Sequence, residues 1–155
     1  MKIAIIGSRS FNNYALLGEI LNDVKDRVTL IVSGGANGAD KFGERWAKEF
    51  KKKTKIFLPD WNAYGKAAGP IRNEKIVKEA DVVLAFWDGE SRGTKNAIET
   101  AQKLNKEVIV IEYKSLEKQL GEVRKRRERD GGIEVMAWKH EGASPFNMTD
   151  DELPF

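Results

Sequence analysis

Ile31-Val32-Ser33-Gly34-Gly35-Ala36-Asn37-Gly38-Ala39-Asp40 decides the fold. An apolar run ends in a Ser-Gly-Gly turn, and a helix-forming stretch follows. A strand that delivers bare backbone to a helix N-terminus makes an anion site: free N–H groups point outward and the helix dipole is positive there. Glycine lets a phosphate approach where a Cβ would block it. The layout recurs at Ile6-Gly7-Ser8-Arg9 and at Phe86-Trp87-Asp88-Gly89 through Ser91-Arg92-Gly93-Thr94. Three such turns after three strand-like runs, two of them with an arginine, point to a nucleotide or sugar-phosphate pocket.

Around these turns, apolar runs at Lys2–Ile6, Thr29–Val32, Lys55–Leu58, Val82–Phe86 and Val108–Ile111 read as buried strands. They are rich in Val and Ile and do not alternate, as parallel strands covered on both faces should be. Helical patterns fall between them, at about Tyr14–Lys25, Ala39–Lys51, Ile71–Glu79 and Lys95–Leu104. Alternating strands and helices predict an α/β fold, a Rossmann-like doubly wound parallel sheet in a single domain. Ligands of such sheets sit beyond the carboxyl ends of the strands, where all three glycine turns lie. The segment Pro59–Gly69 is long for a strand-to-helix link and carries Trp61 and Tyr64, which marks it as a functional loop.

At 155 residues the chain is long enough to bury its own core. With no cysteine it has neither disulfides nor thiolate chemistry, and one histidine, His140, rules against a histidine-held metal; no metal site is expected. Mg²⁺ held by carboxylates stays open, with nothing pointing to it. The apolar runs are too short to span a bilayer and Met1 leads straight into a strand, so the expectation is a cytoplasmic protein without membrane contact. The net charge of +3 is too small to imply nucleic-acid binding by itself.

Past Ile111 the character changes. Residues 1–112 make up the nucleotide-binding domain. Residues 113–140 hold a charged amphipathic helix over Ser115–Asp130, ended by Gly131-Gly132, and an added edge strand at Ile133–Trp138. Residues 141–155 are a linker and an acidic tail. The run Arg124-Lys125-Arg126-Arg127-Glu128-Arg129 is interspersed with acids, which favours a solvated face over a nucleic-acid grip.

The residues Gly7-Ser8-Arg9 with Phe11, Ser33-Gly34-Gly35-Ala36 with Gly38-Ala39-Asp40, Asp60-Trp61, Gly65 through Pro70 with Arg72-Asn73, and Phe86 through Gly89 with Ser91-Arg92-Gly93-Thr94 resemble the YspA-type branch of the SLOG superfamily. That superfamily takes its name from the DNA-processing protein and the "Lonely Guy" phosphoribohydrolases. The resemblance covers roughly residues 1–112. It implies a Rossmann-like fold and a pocket for a nucleotide or a ligand derived from NAD or ADP-ribose, sensed or sequestered, often in phage or anti-phage settings. The phosphoribohydrolases carry Gly-Gly-x-Gly-Thr-x-x-Glu and a separate catalytic arginine. Here the nearest match is Arg92-Gly93-Thr94 followed by Glu99, with Arg72 as the arginine. Glu99 follows Thr94 by five residues instead of three, which weakens the case for N-glycosidic cleavage and leaves phosphate binding untouched.

The expected ligand-binding residues are Gly7, Ser8, Arg9, Ser33, Gly34, Gly35, Gly38, Asp40, Arg72, Trp87, Gly89, Arg92, Gly93 and Thr94. Arg9 and Arg72 suit a bidentate clamp on phosphate. Asp40 suits a ribose hydroxyl, or it merely complements the helix dipole. Trp87 and Tyr64 suit stacking on a base, or they are core aromatics. If the chain is an enzyme, Arg72, Asp88 and Glu99 are the candidate catalytic groups. Three readings stay open: a nucleotide-binding protein, a nucleoside-monophosphate phosphoribohydrolase, and a nucleic-acid-binding module. A homo-oligomer stays open too.

A second resemblance lies at the end. Asp150-Asp151-Glu152-Leu153-Pro154-Phe155 resembles the tip of bacterial single-stranded-DNA-binding proteins, which implies proteins of replication or repair as partners. A terminal Phe fills an apolar pocket, its carboxylate pairs with a base, and the acids meet a basic rim. The basic helix could also hold this tail, or the tail merely solubilises. Burying a Phe side chain is worth about 1.5–3 kcal/mol. A Met148–Phe155 peptide lacking Phe155 should therefore bind a tip-accepting repair protein at least roughly tenfold more weakly by fluorescence anisotropy. Equal binding would reduce the tail to a solubilising appendage.

Overall fold

The computed structural model describes residues 1–129. The edge strand, linker, His140 and tail expected from the sequence lie outside the described residues. Five parallel strands, β1 (Lys2–Gly7), β2 (Leu30–Ser33), β3 (Lys53–Ile56), β4 (Val82–Trp87) and β5 (Glu107–Glu112), form one sheet in the order β3-β2-β1-β4-β5. The chain leaves β1 toward one edge through β2 and β3, then returns to the centre at β4. The switch point therefore lies between β1 and β4, which pair from Ile3 opposite Val82 to Gly7 opposite Phe86.

Helices cover both faces. On one side lie α1 (Tyr14–Asn22) and α2 (Ala39–Glu49), joined by the start of α6 (Tyr113–Arg129). On the other lie α4 (Ala68–Glu79) and α5 (Arg92–Lys103). Strand residues alternate between these layers. Ile3, Ile5, Leu84 and Phe86 enter the first core with Trp46 and Phe11, while Ala4, Ile6, Val83 and Ala85 enter the second with Ile76 and Ala97. Every strand of the central three is apolar on both sides because both sides are dry.

The chain is knit most tightly at the carboxyl ends. Gly38, the residue before α2, has φ +84, and a Cβ there would overlap the carbonyl oxygens of Ser8 and Arg9. Only glycine lets α2 start against the turn after β1. Ser8 donates its N–H to Phe86 at 2.9 Å and accepts from Asp88 N–H at its hydroxyl, 3.1 Å. The turns after β1 and β4 are thus one unit.

Several elements differ from the sequence reading: α1 ends at Asn22 instead of Lys25, α4 begins at Ala68 instead of Ile71, and four others differ as follows. Strand β3 ends at Ile56, two residues early, and all four of its residues are exposed. It is an edge strand whose Lys53 and Lys55 face water. The segment after Pro59 is not a loop: Asp60 caps a four-residue helix α3 (Trp61–Tyr64) by accepting from Ala63 N–H at 3.0 Å, and a 3-10 turn over 65–67 leads into α4. Helix α5 starts at Arg92, three residues earlier than its apolar period suggested. Helix α6 starts at Tyr113, whose ring packs on Phe11 and is buried with Leu116, so its first turn belongs to the core of the sheet domain. Among the described residues no helix is long and apolar enough to cross a membrane.

The two tryptophans of the first half of the chain should separate core from surface. Trp46 is fully buried and its indole donates to Asn22 at 3.2 Å, whereas Trp61 is 55% exposed. Trp46→Ala should lower the unfolding free energy by about 3–5 kcal/mol in urea titrations, and Trp61→Ala by less than about 1 kcal/mol. Comparable losses would contradict this placement.

Candidate functional site

A crevice of about 100 Å³ opens beyond the β1–β4 switch point. Gly7 and Arg9 come from the turn after β1, Ala36 and Asp40 from the turn into α2, Arg72 and Asn73 from α4, and Ser91, Gly93 and Thr94 from the start of α5. Ile6, Ile76 and Ala97 make its apolar floor. Of the residues expected from sequence, Gly7, Arg9, Asp40, Arg72, Gly93 and Thr94 line this space.

Asp40 is 5% exposed. Its Oδ2 accepts from the N–H of Gly34 at 3.1 Å and of Ala36 at 3.3 Å. Gly35 donates its own N–H to the Ser33 hydroxyl at 3.1 Å. Three N–H groups expected to face a phosphate are therefore satisfied inside the protein. Burial pushes the Asp40 carboxyl up to about 6, and nearby Glu44 adds to the rise. The hydrogen bonds from Ala36 and Gly34 and the charge of Arg72 pull the other way.

Arg72 is the counterpart. Its Nη1 donates to the Gly34 carbonyl at 2.7 Å, and its Nε donates to Asn73 Oδ1 at 3.0 Å. Asn73, itself buried, donates to Asn96 Oδ1 at 3.0 Å and the Gly93 carbonyl at 3.3 Å, tying α4 to the start of α5. Burial pulls the Arg72 pKa down; Asp40 offsets this, and the Arg9 guanidinium adds to the fall. Two arginines thus share one crevice with a single carboxylate among its lining residues. Beside them α5 begins with no side-chain cap: the first-turn N–H groups of a helix have no intrahelical partner, and Ser91 supplies no side-chain acceptor to them.

The remaining expected residues are placed differently. Ser8 and Ser33 are buried and structural, bonded to the Asp88 N–H and to Glu44 respectively. Gly34 packs against Arg72, and the direction of a Gly35 Cβ leads to Leu58 and Ile56 instead of the crevice. Trp87 donates its indole N–H to the Ser91 carbonyl at 3.1 Å and packs on the second core, so it supports the turn. Asp88 accepts from Ser91 and Glu90 N–H at 2.7 and 2.9 Å. Burial would raise its pKa, but these bonds and the Ser8 hydroxyl hold it below the usual carboxylate value. Gly89, at φ +85, completes that turn. Arg92 is exposed at the first position of α5. Glu99 points away: its side chain is 61% exposed and pairs with Lys95. Asp88 and Glu99 are therefore not brought to the crevice with Arg72. Asn73 and Asn96 were missing from the expected set; the Arg72-Asn73 pair within the family-like stretch was the signal for the first.

Residues 1–64 match the YspA, cpYpsA-related SLOG family. The chain is 36% identical over 117 residues to the Gene 61 protein of Mycobacterium phage D29, covering 70% of this chain and 94% of that protein. Its fold is similar to DNA processing protein A from Streptococcus pneumoniae, with a TM-score of 0.61 at 19% identity over 70% of this chain and 49% of the other. The chain thus spans about half of that structure. It is also similar to DNA processing protein A from Helicobacter pylori, whose structure concerns a single-stranded DNA binding mode, at TM-score 0.56 and 24% identity over 71% and 64% of the two chains. Both likenesses bear on the fold.

A carboxyl raised on folding holds its proton where the unfolded chain has released it. Between the ordinary value of 3.8 and about 6 only the folded state is protonated at Asp40, so stability falls as pH rises through that window. Glu74, Glu79 and Asp88 are lowered and act with the opposite sign, costing stability as pH falls from their ordinary values of 4.5, 4.5 and 3.8; they are common to both proteins compared below. Asp40→Asn keeps an acceptor for both N–H groups and removes the titration. Relative to this variant, the wild type should lose about 2–3 kcal/mol between pH 4 and 7 in urea unfolding. Parallel profiles would contradict the buried carboxylate.

Proposed function

The chain belongs to the YspA, cpYpsA-related SLOG family, and on that premise we propose that its crevice binds the phosphate end of a nucleotide-derived molecule. The observation that carries this is the convergence of Arg9 and Arg72 on one space beside the uncapped start of α5. Two guanidinium groups in a partly dry site repel each other until an anion arrives, and a phosphate accepts from both and from backbone N–H groups at once. Sensing or sequestering is the role that fits such a site. An NAD- or ADP-ribose-derived ligand carries the same phosphate chemistry. Magnesium would enter with the ligand's phosphates, since among the described residues no group of three or more metal-ligating side chains converges.

Hydrolysis of an N-glycosidic bond is the second reading, and Asp40 is what favours it. It is the crevice carboxylate, and its raised pKa suits proton transfer near neutrality. Against it, the reactive oxygen already accepts two backbone N–H groups. A nucleic-acid strand is the third, encouraged by the single-stranded DNA binding named for the Helicobacter protein. The tail adds a docking role toward replication or repair proteins. The cytoplasm is the compartment where such ligands and partners are found, and a homo-oligomer would leave the crevice reading unchanged.

Gly34 offers a test. A Cβ there would stand 2.5 Å from Arg72 Nη1 and 2.8 Å from Asp40 Oδ2, so Arg72 must swing away and the buried Asp40 carboxyl must yield. Gly34→Ala, shown to be folded by circular dichroism, should bind ADP or pyrophosphate at least roughly tenfold more weakly by calorimetry. The wild type should release no free base from a nucleoside monophosphate. Wild-type affinity in the variant would overturn the phosphate reading, and base release lost in Asp40→Asn would establish the hydrolase.

A further inference from the structure

We propose that the exposed apolar lip formed by Leu58, Trp61 and Tyr64 is the platform for the base of a 5′-phosphorylated nucleoside whose phosphate sits in the crevice, an inference that rests on the anion reading above. Leu58 is 71% exposed, Trp61 55% and Tyr64 49%; with Ile56 they are the exposed large apolar side chains among the described residues. Single exposed apolar residues need no explanation, but four within one nine-residue stretch are a concentration that calls for one.

None of these side chains lines the crevice; two of them lie against glycines of the elements that do. The ideal Cβ of Gly35 lies 2.7 Å from Leu58 Cδ2, and the adjoining Gly34 is the residue whose carbonyl receives Arg72. Trp61 Cη2 lies 3.7 Å from the ideal Cβ of Gly69, which precedes Arg72 by three residues on the same face of α4. The lip therefore leans on both elements that hold the anion-binding guanidinium. It is also ordered: the Asp60 cap fixes the one turn of helix that presents Trp61 and Tyr64.

The chemistry matches a base. Flat rings beside a cationic site are how proteins hold bases without regard to sequence, because every base has a π-face. The crevice holds little more than a phosphate, so a ligand's remaining bulk must lie outside it, and the exposed apolar side chains on neighbouring elements are those of this segment. Trp87, the other aromatic near the turns, is spent on the Ser91 carbonyl and the second core. A free nucleotide and the phosphorylated end of a strand present the same unit.

The test compares ribose 5-phosphate, AMP, UMP and a 5′-phosphorylated oligonucleotide by calorimetry, on wild type and on Trp61→Ala/Tyr64→Ala with its fold checked by circular dichroism. Both monophosphates should bind the wild type roughly tenfold or more tightly than ribose 5-phosphate. The double variant should lose that gain and bind ribose 5-phosphate as before. Ribose 5-phosphate bound as tightly as AMP, or an undiminished gain in the variant, would overturn the lip while leaving the phosphate reading standing. No binding of any of these ligands would overturn both. An oligonucleotide far tighter than AMP, with log affinity falling steeply against log salt, assigns the site to a strand; affinity equal to AMP assigns it to a free nucleotide.

Discussion

The Asp40 carboxylate takes two backbone N–H groups from the turn that precedes its helix, at 3.1 and 3.3 Å, and the geometry of the crevice depends on that choice. A buried carboxylate is costly unless its oxygens are filled. Gly34 and Ala36 fill them, so the turn folds inward around the side chain. The Gly34 carbonyl is then left facing α4, where Arg72 meets it. Arg72 in turn fixes Asn73, and Asn73 fixes the start of α5. One acid thereby sets the positions of three elements from both faces of the sheet.

This chain of contacts changes what the glycine-rich turn is for. Its N–H groups serve the protein, and on the proposed reading anion binding would fall to Arg9, Arg72 and the first turn of α5. Rigid loops and free donors are alternative uses of the same groups, since each N–H donates one strong bond. A turn that spends its donors on Asp40 gains a fixed shape, and it positions the cationic side chain of Arg72. The charge balance agrees, with two guanidinium groups held against one acid whose proton is retained up to about pH 6.

Much of the fold was legible because parallel strands covered on both faces must be apolar on both faces, and Lys2–Ile6, Val82–Phe86 and their neighbours say so in single runs. The crevice's place was legible from the same rule, since strand ends collect at the switch point. Strand β3 was legible only in part: an edge strand with alternating lysines gives a weak signal, and the search for buried runs pulled its limits toward Phe57 and Leu58. The α5 start was missed because Ser91-Arg92-Gly93 has no apolar period, although its backbone is already helical at Arg92. The inward bonds of Asp40 were out of reach for a different reason. Whether an acid after a Gly-rich turn points to solvent or back to the turn depends on burial by α4, which lies thirty residues on. Glu99 shows the converse: spacing alone put it off the pocket face, and its exposed pairing with Lys95 agrees.

A crevice of about 100 Å³ is smaller than the 300–1,000 Å³ or so of sites that enclose a drug-sized ligand. It is deep enough for charge recognition and too small for shape recognition of a whole nucleotide. Affinity and selectivity must then come from different surfaces. The floor is built from backbone, core aliphatics and paired polar groups, and it tolerates few changes because each group fixes the next. The segment from Leu58 to Tyr64 lies outside the crevice lining and comes near Gly35 and Gly69, where side chains are absent. On the proposed reading such a fold would keep one phosphate grip and exchange the group read beside it, so that a single sheet and crevice could serve ligands that share a phosphate and little else.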